Sequence, residues 1–393
     1  MSEATPFDLD TLIDEAKTQT GLTDFGDWQF QEPLQRLLQA LDTEAQLNAV
    51  GRATQRQRLL DILCTRLRFQ GWVKRHPEIL EEQIERPVVI VGLPRTGTTL
   101  LQRMLAADPR FYSAAWWETR FPVPEGEINF ANPVDPRIAL AKAEVQAMLE
   151  HVPELAAIHP LDAEAADEEI TLLEQSFYST NPEALANVAS FGEWLVQQDQ
   201  TEGYAYLKQL LQFLQWQKKQ RDLKADRWVL KSPHHIHCMD TLFKVFPDAQ
   251  VIQTHRDPLQ TIPSLASFIY NLWRLGSDQA DPQTVGAQWN AKMASGLHHC
   301  MQVRRDLPTG RFLDVDFRDT VARPMAVLEA VYDFLGLELT ASAREVIERW
   351  RQNNRREQRA PHTYSLAQFG LSETQLQQDY ADYRQAHITA QEH

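Results

Sequence analysis

The stretch Pro87–Leu101, PVVIVGLPRTGTTLL, constrains the fold of this 393-residue chain more than any other. Val88, Val89, Ile90 and Val91 form an unbroken β-branched run, the pattern of a strand buried on both faces of a parallel sheet. Gly92 and Gly97 let the backbone turn tightly at either end of a short loop. Thr98 and Thr99 then open a helix. Free N–H groups and the positive end of the helix dipole meet at that point. The loop is therefore an anion site, and phosphate is its commonest occupant.

The spacing matches the nucleotide-binding pattern G-x-x-x-x-G-K-[ST] at every place but one. Gly92 and Gly97 have the right separation and Thr99 fills the last position, but Thr98 stands where the lysine belongs. That lysine serves the β- and γ-phosphates of a nucleoside triphosphate. Its absence argues against an ATPase or kinase. A cation stands inside the loop instead, Arg95. The loop is expected to hold a phosphate beside a fixed positive charge.

The net charge of −15 excludes a broad nucleic-acid footprint, so an anionic ligand must be held by a local group of Arg and Lys. Cys64, Cys238 and Cys300 are far apart, without metal-type spacing, which points to a reducing compartment and no disulfide framework. The acidic N-terminus lacks the apolar core of a signal peptide, and no stretch reaches the length of a membrane span. The expectation is a cytoplasmic protein. With 43% hydrophobic residues the chain can bury a real core.

Residues 1–85 read as an N-terminal helical region, with apolar residues such as Leu34, Leu37, Leu38, Leu41, Leu59, Leu63 and Leu67 at helical spacings. The basic run from Arg52 to Arg75 reads as a solvated helix face. Residues 86–393 read as an α/β domain with a helical insertion at about 137–222. Phe111–Trp117 is a second strand by composition. The dense acidic patch Asp162–Glu169 reads as part of a helix. Further strands are Arg227–Lys231, stopped by Pro233, then Gln250–Thr254 and Arg311–Asp316. Lys231, and then His234, His235 and His237, stand at one strand end; Arg256 stands at the next, with Ser264 two helical turns on. Ligands of open parallel sheets bind at that edge. The histidines have no Cys nearby, so loop or capping roles suit them better than zinc. Gly336 ends a helix begun near Val327. Strands alternating with helices argue for an α/β fold with a central parallel sheet, a P-loop-like strand–loop–helix and flanking helices.

Together these pieces resemble the PAPS-dependent sulfotransferases, in their bacterial branch; the donor of that family is 3′-phosphoadenosine-5′-phosphosulfate. Pro94-Arg-Thr-Gly-Thr-Thr99 is similar to the 5′-phosphosulfate loop, P-[KR]-[ST]-G-T-[ST]. Arg256 and Ser264 are similar to the 3′-phosphate pair and have its spacing. Val315–Asp319, Arg323-Pro324 and Tyr332–Leu337 resemble the segment written Y-E-D-L…D-P…F-L-G. His362-x-Tyr364…Phe369-Gly-Leu371 resembles the tail of bacterial members. The resemblance covers roughly residues 85–375 and leaves the N-terminal helices without a motif.

It implies that Pro94, Arg95, Thr96, Gly97, Thr98 and Thr99 hold the 5′-phosphate, that Arg256 and Ser264 hold the 3′-phosphate, and that Arg95 and Lys231 stabilise charge on the leaving oxygen. PAP is then a product, and no metal is needed. The acceptor is a hydroxyl of a small, hydrophobic molecule, with Trp116, Trp117, Phe121, Phe268, Tyr270 and Trp273 as candidate pocket walls or core. The chain departs from the family pattern where a His serves as base two residues after the strand-end Lys. Here Pro233 holds that place. The first choice of base is His234 and the second is Glu168, ahead of Asp167 and Glu169. A P-loop kinase or phosphotransferase, or a nucleotide-binding protein with a decayed site, are the competing expectations.

Overall fold

The computed structural model describes residues 6–130, 132, 134–151, 161–354 and 365–389. At its centre are β1 Val88–Gly92, β2 Phe111–Tyr112, β3 Arg227–Lys231, β4 Gln250–His255 and β5 Phe312–Asp316. They lie in the order β2-β3-β1-β4-β5, all parallel. The apolar run found in the sequence takes the middle, and all five β1 residues are buried. Val88 and Ile90 face one side, with Leu101, Met104, Leu105 and Leu328. Val89 and Val91 face the other, with Phe69, Phe213, Leu265 and Leu297. This is the alternation of a strand covered by helices on both faces. From β1 the chain goes out to β2, returns through β3, and then builds β4 and β5 on the opposite side. The order reverses at β1, so the carboxyl ends of β3, β1 and β4 border one crevice.

Three expectations change. The second strand is only Phe111–Tyr112. Ala115 instead caps a helix, Trp116–Arg120, and its N–H donates to Glu118 Oε2 at 2.8 Å. The acidic stretch 162–169 is not helical. Its backbone pairs with the chain before that helix: Trp116 N–H donates to Ala165 O, Trp117 N–H to Ala163 O, and Asp167 N–H to Ala114 O. The next helix begins only at Ile170. The basic run is a solvated face only at its end, where Lys74 and Arg75 are exposed. Arg66 is buried, with its guanidinium 4.4 Å from the Phe30 ring and 4.2 Å from the Tyr206 ring. Arg52, Arg56, Arg58 and Arg68 each pair with a carboxylate.

The N-terminal region is helical as expected, with helices at Leu9–Thr20, Gln31–Thr43 and Ala49–Arg75. The last of these ties it to the sheet. Leu59, Leu63 and Leu67 pack among the N-terminal helices, while Phe69 and Trp72 enter the core around β1. Its first turn meets the end of the Pro258–Gly276 helix backbone to backbone. A Cβ on Gly51 would fall 2.1 Å from Gly276 O, and Asn48 N–H donates to that same carbonyl at 2.9 Å. Gly51→Ala should therefore destabilise the fold by about 1–3 kcal/mol, the usual cost of overpacking. Urea unfolding checks this, and an unchanged midpoint would refute the close contact.

Within the tail, Phe369 is buried and its carbonyl approaches Gly286, where a Cβ would lie 2.0 Å away. Helices Glu373–Asp379 and Ala381–His387 follow. Arg384 pairs with Asp257 at 3.0 Å and Tyr383 Oη meets His255 Nδ1 at 2.9 Å. These contacts clamp the turn that carries Arg256. Arg355, Arg356, Arg359, His362 and Tyr364 lie outside the described residues.

Candidate active site

The loop after β1 is held by its own small residues. Thr96 Oγ1 donates to Leu93 O at 2.6 Å and lies 2.6 Å from Thr254 Oγ1, which fastens the loop to β4. A Cβ on Gly92 would fall 2.5 Å from that Thr254 hydroxyl. Gly97 has φ +86°, and a Cβ there would press within 3.1 Å of the Phe317 ring. Arg95 takes a left-handed backbone, φ 73°, a conformation costly for a residue with a side chain and often found at functional loops. The Thr98–Ala106 helix then starts from Gly97 with no side chain capping its first N–H groups. Those donors and the helix dipole point to where an anion would sit.

Lys231, at the end of β3, is 1% exposed and reaches two groups. Its Nζ lies 3.3 Å from Thr99 Oγ1 and forms an ion pair with Glu168. Glu168 keeps 21% exposure and so is the more open member of the pair. Burial raises its carboxyl above the ordinary value, against the lowering effect of Lys231; Asp167 and Glu169 raise it further. The Thr98–Ala106 helix itself holds the acidic segment. Gln102 Nε2 donates to Asp167 O at 2.8 Å and Arg103 Nε to Ala166 O at 3.0 Å.

Glu169 is turned the other way. Its Oε2 accepts the Lys231 backbone N–H at 2.7 Å, and its Oε1 lies 2.6 Å from His235 Nε2. His235 Nδ1 is in turn 2.7 Å from Tyr204 Oη. All three side chains are buried, so the chain of bonds supports Lys231 from beneath.

His234 is buried and both ring nitrogens are engaged. Nδ1 accepts the Thr180 N–H at 3.3 Å and Nε2 faces Gln200 Oε1 at 3.1 Å. That pattern fixes one neutral tautomer, whose lone pair is already occupied. Burial, then His235, His237 and Lys292, push its pKa well below the ordinary histidine value.

Arg256 follows β4 on the opposite side of the loop. Its Nη1 donates to Arg95 O at 3.0 Å, its Nε to Gln260 Oε1 at 3.1 Å, and its guanidinium lies 4.2 Å from the Phe317 ring centre. Ser264 is buried in the second turn of the helix that begins at Pro258. Phe317 thus touches both Gly97 and Arg256. In the sequence it stands only within the Val315–Asp319 segment, and nothing local signals its stacking role.

Pro94, Arg95, Thr98, Thr99, Glu168 and His234 share the wall of a cavity of about 270 Å³. Arg256 and Ser264 are not in that wall. Of the six candidate aromatics, Trp116 and Phe268 line it, beside Met148, Leu265, Leu272 and Met293. Tyr270 and Trp273 instead join the core around Phe369, and Trp117 and Phe121 pack around Ala141. His255, Asp314 and His387 approach within 4.8 Å of one another, but Arg304 holds both oxygens of Asp314, at 2.7 and 2.9 Å.

A parallel sheet with an anion loop at its switch point, two cations around it and a carboxylate in the wall of an apolar cavity defines a group-transfer enzyme of the P-loop-like class. The chain belongs to the sulfotransferase family, whose model matches residues 87–341. It is 31% identical to the sulfotransferase STF1 from Mycobacterium tuberculosis, with a TM-score of 0.83 over 96% of this chain and 99% of that one. Against the sulfotransferase STF9 from Mycobacterium avium, identity is 26% and the TM-score 0.85, over 98% and 97% of the chains. Carbohydrate sulfotransferase 1 of Rattus norvegicus is 29% identical over 119 residues, which span 27% of this chain and 27% of that protein. Among the described residues no helix is long and apolar enough to cross a membrane.

Proposed function

We propose that the protein transfers the sulfuryl group of PAPS to a hydroxyl of a small, apolar acceptor. The observation that carries this is the Lys231 ammonium, which joins Thr99 of the anion loop to Glu168 of the apolar cavity. One cation thereby links the place for a phosphosulfate to the place for an alcohol.

In this reading the uncapped N–H groups at Thr98 and Thr99 hold the 5′-phosphate, while Arg256 and Ser264 hold the 3′-phosphate. The acceptor oxygen forms a bond to sulfur as the bond from sulfur to the bridging phosphate oxygen breaks. Negative charge grows on that bridging oxygen. Arg95 and Lys231 meet it with fixed positive charge, and the step resembles phosphoryl transfer in being mostly electrostatic. The acceptor proton goes to Glu168. We take Glu168 as base in place of His234, because the His234 lone pair is spent on Thr180.

The test is thermal unfolding with PAP, with AMP, and with ATP and Mg²⁺, all at one concentration, about a hundred times the Kd for PAP. Saturation should add roughly 2.7 kcal/mol of stability. PAP should stabilise the protein most. Stabilisation by Mg-ATP with none by PAP would overturn the reading in favour of a phosphotransferase.

A further inference from the structure

Beyond the acceptor cavity lies a second one of about 410 Å³, lined by residues of the Ala189–Leu195 and Pro282–Asp306 helices. His237 and Trp289 stand in the walls of both. The wall of the second also holds Glu183 and Lys292, whose side chains are only 12% and 10% exposed. Lys292 Nζ lies 2.9 Å from Glu183 Oε2, a buried ion pair. His237 Nε2 in the same wall has no hydrogen-bond partner among the described residues. Buried polar atoms are nearly always paired, so an orphan imidazole nitrogen beside a buried ion pair in one cavity wall requires an account.

The positions of these side chains are built into the helices around them. A Cβ on Gly192 would fall 2.0 Å from Glu183 Oε1, and a Cβ on Gly296 would fall 2.5 Å from His237 Nδ1. Glycine at both places makes the room that the carboxylate and the imidazole occupy. Lys292 and Glu183 balance each other in charge. The group they would receive is therefore neutral, and it must donate to Glu183 Oε2 while accepting from Lys292 or His237. A hydroxyl or an amide does both.

We propose that the acceptor spans both cavities, with its reacting hydroxyl at Glu168, an apolar middle passing Trp289, and a remote hydroxyl or amide bound by Glu183, His237 and Lys292. This rests on the sulfotransferase reading of the first cavity and adds to it the class of molecule transferred to: an elongated, two-ended alcohol. A plain alkyl end would leave the His237 nitrogen unpaired and cover the ion pair with apolar surface, and a site built for a hydroxyl rejects an analogue lacking it.

The test compares primary alkanols with the α,ω-diols of the same chain lengths. Two readouts are taken: PAP formed from PAPS, and thermal stabilisation by the alcohol alone. At one matching length the diol should exceed the alkanol in kcat/KM by about tenfold or more. That ratio should collapse in Lys292→Met and in His237→Phe. Ala291→Trp, which adds bulk to the wall of the second cavity and removes no charged group, guards against misfolding of those two and should also collapse it. Equal treatment of diol and alkanol at every length, or a ratio that survives all three substitutions, overturns the proposal. Preferential stabilisation by the diol without consumption of PAPS would uphold the two-ended site and overturn the sulfotransferase reading. Consumption of PAPS without diol preference would do the reverse.

Discussion

Glu168→Gln should lower kcat by about 10²–10⁴, the usual worth of a positioned general base, while PAP still binds. The amide keeps the size of the side chain but accepts no proton. The pH profile carries the sharper readout. Burial raises the Glu168 carboxyl in the folded protein, and a base works only when deprotonated. Activity should therefore climb with pH through a limb lying above the ordinary carboxylate range, and Glu168→Gln should erase that limb. The same shift acts on folding with a definite sign. The native state holds this proton more tightly than the unfolded chain, so the contribution to stability is complete below the unfolded pKa and declines as pH rises through the folded one. His234→Gln should behave otherwise. It breaks the bonds to Thr180 and Gln200 and costs stability, yet leaves the acid limb in place. A limb lost in His234→Gln and kept in Glu168→Gln would return the role of base to His234.

Arg256→Ala should weaken PAP binding roughly tenfold to hundredfold and leave AMP binding nearly unchanged. A hydrogen bond to a charged group is worth about 1.5–3 kcal/mol, and each 1.4 kcal/mol is a factor of ten. AMP lacks the 3′-phosphate, so it serves as the internal control. The Arg95 carbonyl and the Phe317 ring hold the guanidinium in one orientation before any ligand arrives. Calorimetric titration of both nucleotides reads the difference directly. Equal losses for PAP and AMP would mean that Arg256 supports the loop instead of reading the 3′-phosphate.

The sheet was legible because its strands are short apolar runs ended by Gly, Pro or charge. β1 stands where its β-branched residues demand burial on both faces, and the anion loop follows from paired glycines. What escaped the sequence depends on partners remote in the chain. Ala115 and Ala166 form a backbone bridge between segments far apart in the chain, and no local pattern in the acidic stretch announces that it is a bridge and not a helix. Arg66 looks like its charged neighbours until two rings from distant segments enclose it. His234 carries the chemistry of a base by type and by its place after a strand. Thr180 and Gln200, which occupy its nitrogens, come from a segment that carries no motif.

The Ala49–Arg75 helix has a consequence for how this protein can be divided. By motif the catalytic part begins near residue 86, and trimming the chain there would be the natural choice for a smaller enzyme. Such a piece would lack Phe69, Trp72 and Ile79, which fill the core beside Val89 and Val91. It would also lack the turn at Gly51 that seats the far end of the Pro258–Gly276 helix, the same helix that bears Ser264 and much of the apolar cavity wall. The leading helices are then a wall of the catalytic body and not a removable attachment. Fusion or exchange of modules in this protein has to respect a seam other than the one the motifs suggest.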